Sequence, residues 1–210
     1  MGGSSPVIGI LALQGDVREH RRMLESLGAT VVEVRAVRDL AGLQGLVIPG
    51  GESSVMDKLT RLFGLTEPLR WAIDEGLPVL GTCAGMIMLA NELADGIEGQ
   101  ETLGGLDISV QRNAFGAQRE SFDTRLDVRG IEGPAMDVSF IRAPIVTRVG
   151  DGVDILASLD DARVVAVDNS QCMALAFHPE VSGDERLHAM FVARAREYPP
   201  LPGDLPTTLV

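Results

Sequence analysis

The sequence predicts an α/β fold: one domain built as a three-layer sandwich around a central, mostly parallel mixed sheet. Three observations lead to it. Short continuous apolar runs, such as Val7 to Leu13, have the character of strands buried on both faces. Helical stretches alternate with these runs through the first half of the chain, as right-handed βαβ units require. After Gly96 the rhythm changes to successive strands without intervening helices, so the second half is expected to extend the sheet in antiparallel or mixed fashion.

Taken in order, the first strand Val7 to Leu13 is broken by Gln14-Gly15-Asp16. Val17 to Leu27 reads as a helix with Gly28 as its C-cap. Thr30 to Val34 is a second strand, and Gly45 to Ile48 a third that Pro49-Gly50-Gly51 stops. Ser53 or Ser54 caps a helix to about Leu62, and Thr66-Glu67-Pro68 opens another that Gly76 closes. Pro78 to Gly81 is a short buried strand, and helix is expected from Ala84 to about Ala94. Strands follow at Ile108–Gln111, Asp123–Val128, Val138–Arg142, Ile155–Ser158, Val164–Asp168 and Met173–Phe177, and Asp184 to Glu197 is the last helix. Residues 1–6 read as a flexible leader and 7–197 as the domain. The proline-rich tail 198–210 is expected to lie extended over the surface or to be disordered.

Composition narrows the function classes. With 45% hydrophobic but only 4% aromatic residues, the core must be built from Val, Ile, Leu, Ala and Met. A net charge of −12 argues against nucleic acid and against an anionic membrane surface, both of which are held by clustered Lys and Arg. Two cysteines, Cys83 and Cys172, make no disulfide framework and no zinc spacing, so no metal is expected. No apolar run approaches the roughly 20 residues of a membrane span, and the N-terminus has no signal-peptide pattern. A reducing cytoplasm is the expected compartment.

The strongest chemical signal is Gly81-Thr82-Cys83-Ala84-Gly85, where a buried strand meets a helix. It has the form of a nucleophile elbow with cysteine at its tip. The glycines are needed because a sharp strand-to-helix turn brings backbones close. The helix N-terminus would favour negative charge on sulfur. A cysteine nucleophile needs a base, and the chain has three histidines. His20 lies among Arg18, Glu19, Arg21 and Arg22 and is expected to be exposed; His188, in the last helix, is expected to be exposed or half-buried. His178 follows an apolar strand in Phe177-His178-Pro179-Glu180, where side chains project into the crevice of an open sheet. Pro179 favours an extended His178, which would place Glu180 on the same side as a carboxylate to orient the ring.

An attack on a carbonyl creates an oxyanion that needs donors. The Ala84 amide, next after the nucleophile, is one, and the Gly51 amide in Pro49-Gly50-Gly51-Glu52-Ser53 is assigned as the second. Arg112 and Arg142, each after a strand, are candidates for holding a carboxylate. Gln14 is placed to line the same crevice or to couple it to a partner, and Cys172 reads as structural.

These blocks together resemble the class I glutamine amidotransferase family, whose fold is flavodoxin-like. Within it they resemble the branch formed by glutaminase subunits of pyridoxal 5′-phosphate synthase. The resemblance rests on Leu13-Gln14-Gly15-Asp16 with Arg18-Glu19-His20, on Pro49 to Ser54, on Gly81 to Gly85, on Arg112-Asn113-Ala114-Phe115-Gly116, on Phe140-Ile141-Arg142-Ala143-Pro144 and on Phe177 to Glu180. It implies that Cys83 attacks the side-chain amide of L-glutamine, that His178 passes a proton to the departing ammonia and that Glu180 orients His178. By the same resemblance Gly51, Glu52, Ser53, Arg112, Ile141 and Arg142 contact glutamine. It implies no cofactor: pyridoxal 5′-phosphate is the product of a complex in which ammonia passes to a separate synthase subunit. The elbow alone would also suit another cysteine hydrolase or a redox-responsive protein on a similar sheet, and a non-catalytic partner-binding subunit is the third alternative.

Overall fold

The computed structural model describes residues 5–112 and 121–205. Four neighbouring strands form its parallel centre: β1 (Val7–Leu11), β3 (Gly45–Ile48), β4 (Val79–Thr82) and β12 (Cys172–Leu175). β3, β4 and β12 are buried at every position, as strands covered on both faces must be. β2 (Thr30–Val34) pairs in parallel outside β1. Beyond β12 the sheet turns mixed. β11 (Val164–Asp168), β9 (Ile145–Val149) and β6 (Leu106–Gln111) follow antiparallel, β5 (Ala90–Leu93) closes the edge parallel to β6, and β10 (Asp154–Ser158) pairs with β11.

Helix α1 (Val17–Ser26) connects β1 outward to β2, whereas α2 (Ser53–Leu62) and α3 (Thr66–Asp74) connect β3 in the opposite direction to β4. Right-handed crossovers running in opposite directions place these helices on opposite faces of the sheet, which makes the three layers. α1 packs against α6 (Arg186–Glu197), and α2 against α4 (Ala84–Leu89).

The mixed character after Gly96 and the order of the first elements are as the sequence predicts. Three points differ. The helix after the elbow ends at Leu89, because Ala90 and Leu93 pair with Leu106 and Val110 and the chain becomes β5. The apolar run alone does not separate a buried helix from a buried strand. β9, unassigned from sequence, bridges β6 and β11. β7 (Phe122–Leu126) and β8 (Met136–Phe140) form a separate two-stranded sheet instead of extending the main one. Of the tail, Leu201 is buried: its N–H donates to the Leu43 carbonyl at 2.8 Å, and its carbonyl accepts from Gly42 N–H at 3.0 Å. Residues 1–4 of the expected leader, residues 206–210 of the tail and Asn113–Gly116 of the Arg112 block lie outside the described residues.

Candidate active site

Because β1, β3, β4 and β12 are parallel neighbours, the segments leaving their C-terminal ends emerge at one edge of the sheet. Those segments carry Gln14, the loop 49–52, Cys83 and His178. The register Leu175↔Thr82 sets the last two side by side.

Cys83 caps α4 with φ 49° and ψ −102°, a left-handed conformation rare for a residue with a side chain. Such strain costs about 1–3 kcal/mol and persists only where neighbours fix it. Here the Cys83 N–H donates to the Leu175 carbonyl at 2.7 Å, and the Cys83 carbonyl accepts from Met86 N–H at 3.1 Å. A Cβ on Gly85 would sit 2.1 Å from the Ile48 carbonyl oxygen, and one on Gly81 would sit 2.7 Å from the Gly85 carbonyl. The elbow closes only with glycine on both sides of the nucleophile.

His178 occupies the N-cap of the short helix α5 (Pro179–Ser182), with Pro179 at the start of that helix and Glu180 in its first turn. A helical turn therefore delivers the pairing, where the sequence suggested an extended segment. The ring Nδ1 lies 2.8 Å from Glu180 Oε1, and Cys83 lies close enough to act on the charge of the same ring. With Nδ1 committed to Glu180, the other nitrogen is the one left for sulfur. Burial pushes the His178 imidazole down, but the neighbouring Cys83 and Glu180 outweigh it and carry it up to about 10. Burial pushes the Glu180 carboxyl up while His178 opposes it, so proton and charge belong to the pair. Asp16 Oδ2 stands 3.4 Å from the same Nδ1. Gly50 makes room for this ring: a Cβ there would be 2.3 Å from His178 Cε1.

Cys83 opens into a cleft that Gly51, Glu52, Ser53, Ile87, Arg112, Ile141 and Arg142 also line. Every glutamine-contacting candidate from the sequence is among them; Ile87 is an addition. Ala84, the other proposed oxyanion donor, sits buried at the start of α4. Gln14 fixes the loop, because its Oε1 accepts from the Glu52 N–H at 2.9 Å. Its side chain fills the space that a Cβ on Gly51 would need, at 2.6 Å. Arg112 pairs with Glu52 Oε1 at 3.0 Å and donates to Gln100 Oε1 at 2.9 Å, while Gln100 Nε2 donates to Ser53 Oγ at 3.1 Å. Gln100 was not singled out from sequence: it lies in a loop with no periodicity, and no local signal points to it. Ile141 and Arg142 are exposed on the rim, and Arg142 has φ 46°.

Two expectations are corrected. His20 and His188 are both fully buried, not exposed. His20 Nδ1 lies 2.9 Å from His188 Nε2, and His20 Nε2 lies 3.0 Å from Thr82 Oγ1. His20, Glu180 and His188 offer metal-ligand atoms within 4.8 Å of one another, as do Asp16, His178 and Glu180. The ring nitrogens nearest those carboxylates are already hydrogen-bonded to Thr82, to each other and to Glu180, so both groups read as hydrogen-bond networks. Cys172 is buried; burial first, and the nearby Asp168 carboxylate second, push its thiol up to about 12.

A strained cysteine, a histidine and a glutamate meet at one sheet edge, an arrangement that suits nucleophilic catalysis by sulfur. Comparison with known proteins agrees. A pyridoxal 5′-phosphate synthase subunit PdxT of Clavibacter sepedonicus is 58% identical over 90% of this chain and 91% of its own. One of Corynebacterium glutamicum is 52% identical over 91% of this chain and 97% of its own. A solved structure described as a glutamine amidotransferase superposes with a TM-score of 0.83 at 44% identity, covering 90% of this chain and 98% of that one. The profile of the SNO glutamine amidotransferase family matches residues 10–197, and the chain belongs to that family.

Proposed function

We propose that the chain is the glutaminase subunit of a pyridoxal 5′-phosphate synthase. It hydrolyses L-glutamine to L-glutamate and ammonia and hands the ammonia to a synthase subunit. The observation that carries this reading is the meeting of Cys83, His178 and Glu180 beside a cleft lined by Glu52, Arg112 and Arg142, in a chain 58% identical to a pyridoxal 5′-phosphate synthase subunit.

In the proposed mechanism the Cys83 thiol gives its proton to His178, and the resulting sulfur anion attacks the glutamine carboxamide carbon. The amides of Gly51 and Ala84 receive the developing oxyanion. The His178 imidazolium, steadied by Glu180, gives its proton to the departing nitrogen, so ammonia leaves and a thioester remains. His178 then takes a proton from water as the water attacks the thioester carbonyl. Collapse of that second tetrahedral adduct breaks the carbon–sulfur bond and releases glutamate. Arg112 and Arg142 supply the positive charge for the α-carboxylate, and Glu52 and Ser53 the acceptors for the α-ammonium. No cofactor enters these steps. Residues 7–197 are the catalytic domain, and the protein works in the cytoplasm; no helix among the described residues is long and apolar enough to cross a membrane.

Glutamate release, measured with and without the synthase partner, tests the reading. Activity is expected to depend on the partner and to vanish in Cys83→Ala. Full activity in that variant would reject it, and pyridoxal 5′-phosphate made from glutamine with Cys83→Ser would favour a non-catalytic subunit.

A further inference from the structure

We propose that His20 is a positioning residue: it ties the strand that carries the nucleophile to the carboxylate that orients His178, and His188 fixes its tautomer. The proposal rests on the glutaminase reading above and adds to it a connection that the triad itself does not contain.

The three side chains come from distant parts of the chain. His20 sits on α1, Thr82 at the end of β4 directly before Cys83, and His188 on α6. All three are fully buried. His20 Nε2 lies 3.0 Å from Thr82 Oγ1 and 3.4 Å from Glu180 Oε1, and that Oε1 is also the atom 2.8 Å from His178 Nδ1. The other nitrogen of His20 is 2.9 Å from His188 Nε2. The outer atoms of the network, His188 Nδ1 and Glu180 Oε2, are buried without a hydrogen-bond partner.

Proton bookkeeping selects one arrangement. Each buried neutral ring carries a single N–H. If His20 bore its proton on Nδ1, the bare lone pair on Nε2 would face the Glu180 carboxylate. If His188 Nε2–H instead donates to His20 Nδ1, the His20 proton must sit on Nε2, between Thr82 Oγ1 and Glu180 Oε1. The second arrangement gives Glu180 a favourable partner. Thr82 is the nearer acceptor, so the 3.4 Å approach to Glu180 is an electrostatic contact beside a full hydrogen bond. Glu180 Oε1 thus receives positive N–H edges from two rings, and the carboxylate cannot rotate away without losing both. Burial and nearby imidazoles hold His20 well below its ordinary value, and burial alone holds His188 down to about 4, which keeps both rings neutral at physiological pH.

The test uses the full chain with its synthase partner and the variants His20→Leu, His20→Gln and His188→Leu. Two quantities are read: kcat and KM for glutamine hydrolysis, and the pH dependence of Cys83 alkylation by iodoacetamide, which needs neither glutamine nor partner. His20→Leu is expected to lower kcat about tenfold with KM nearly unchanged. With Glu180 less well held, the imidazolium form of His178 loses part of its support, so the alkylation profile is expected to shift by about half a pH unit. His20→Gln retains an amide donor near the Nε2 position and is expected to recover kcat to within about threefold. His188→Leu is expected to move the alkylation profile in the same direction, and it carries the test if His20→Leu does not fold. A folded His20→Leu with wild-type kcat and alkylation profile overturns the proposal. So does a loss of kcat that leaves the profile in place and that Gln does not rescue. If the wild-type chain with its partner releases no glutamate, the glutaminase reading falls, while the alkylation profile still judges the link to Cys83.

Discussion

Gly85→Ala tests the architecture of the elbow, because two effects of opposite sign compete at that position. Gly85 lies in the first turn of α4. Alanine is a better helix former than glycine by about 1 kcal/mol, so helix propensity alone makes the change stabilising. The structure gives the opposite sign. The added Cβ would lie 2.1 Å from the Ile48 carbonyl oxygen, where such a contact needs roughly 3.3 Å. About 1.2 Å is missing, and the obstacle is backbone of β3 rather than the free end of a side chain. α4 cannot back away cheaply, because Met86 and Leu89 on it are fully buried. Overpacking of this kind costs about 3 kcal/mol or more, leaving a net loss of at least roughly 2 kcal/mol. At about 2–4 °C per kcal/mol for a chain of this size, Tm is expected to fall by roughly 4–8 °C, read by thermal unfolding and checked by urea titration. The same shift moves the start of α4, so the alkylation rate of Cys83 is expected to fall with it. A variant as stable as the parent, or more so, would refute the close approach on which the elbow rests.

Two further outcomes follow from the site and its surroundings. Gln100 holds Arg112 and Ser53 in place, so Gln100→Ala is expected to raise KM for glutamine several-fold while changing kcat little; a kcat effect with constant KM would place Gln100 in the chemistry instead. His188 is held down to about 4 in the folded protein, whereas the unfolded chain takes up that proton near 6.5. The folded state therefore binds fewer protons in that window. Stability is intact above pH 6.5 and is expected to fall as pH drops toward 4, by about 1.4 kcal/mol per pH unit for the histidine. Urea unfolding of His188→Leu is expected to show a shallower acid slope, and an unchanged slope would contradict it.

Much of the site was legible because its signals are local. The Cys83 elbow is written in five consecutive residues and His178–Glu180 in three, and parallel strands deliver both to one edge by topology. His20 was misread because its neighbours Arg18, Glu19, Arg21 and Arg22 are charged. The helical period carries the better signal: His20 falls on the buried face with Leu24, and His188 on that of Phe191, Val192 and Ala195. Gln100 and β9 were missed for another reason. The first sits in a loop with no pattern, and the second becomes a strand through the partners β6 and β11, which its own five residues do not announce. The end of α4 likewise depends on tertiary pairing with β6.

The central claim is that Cys83 is the nucleophile of a glutamine site. It is tested most directly by treating the native protein, with its partner, with an electrophilic glutamine analogue and locating the adduct by mass spectrometry. One adduct is expected, on Cys83, with L-glutamine protecting it and with Cys172 untouched because burial holds that thiol protonated up to about 12. An adduct elsewhere, or a Cys83 adduct that glutamine does not prevent, would contradict the account.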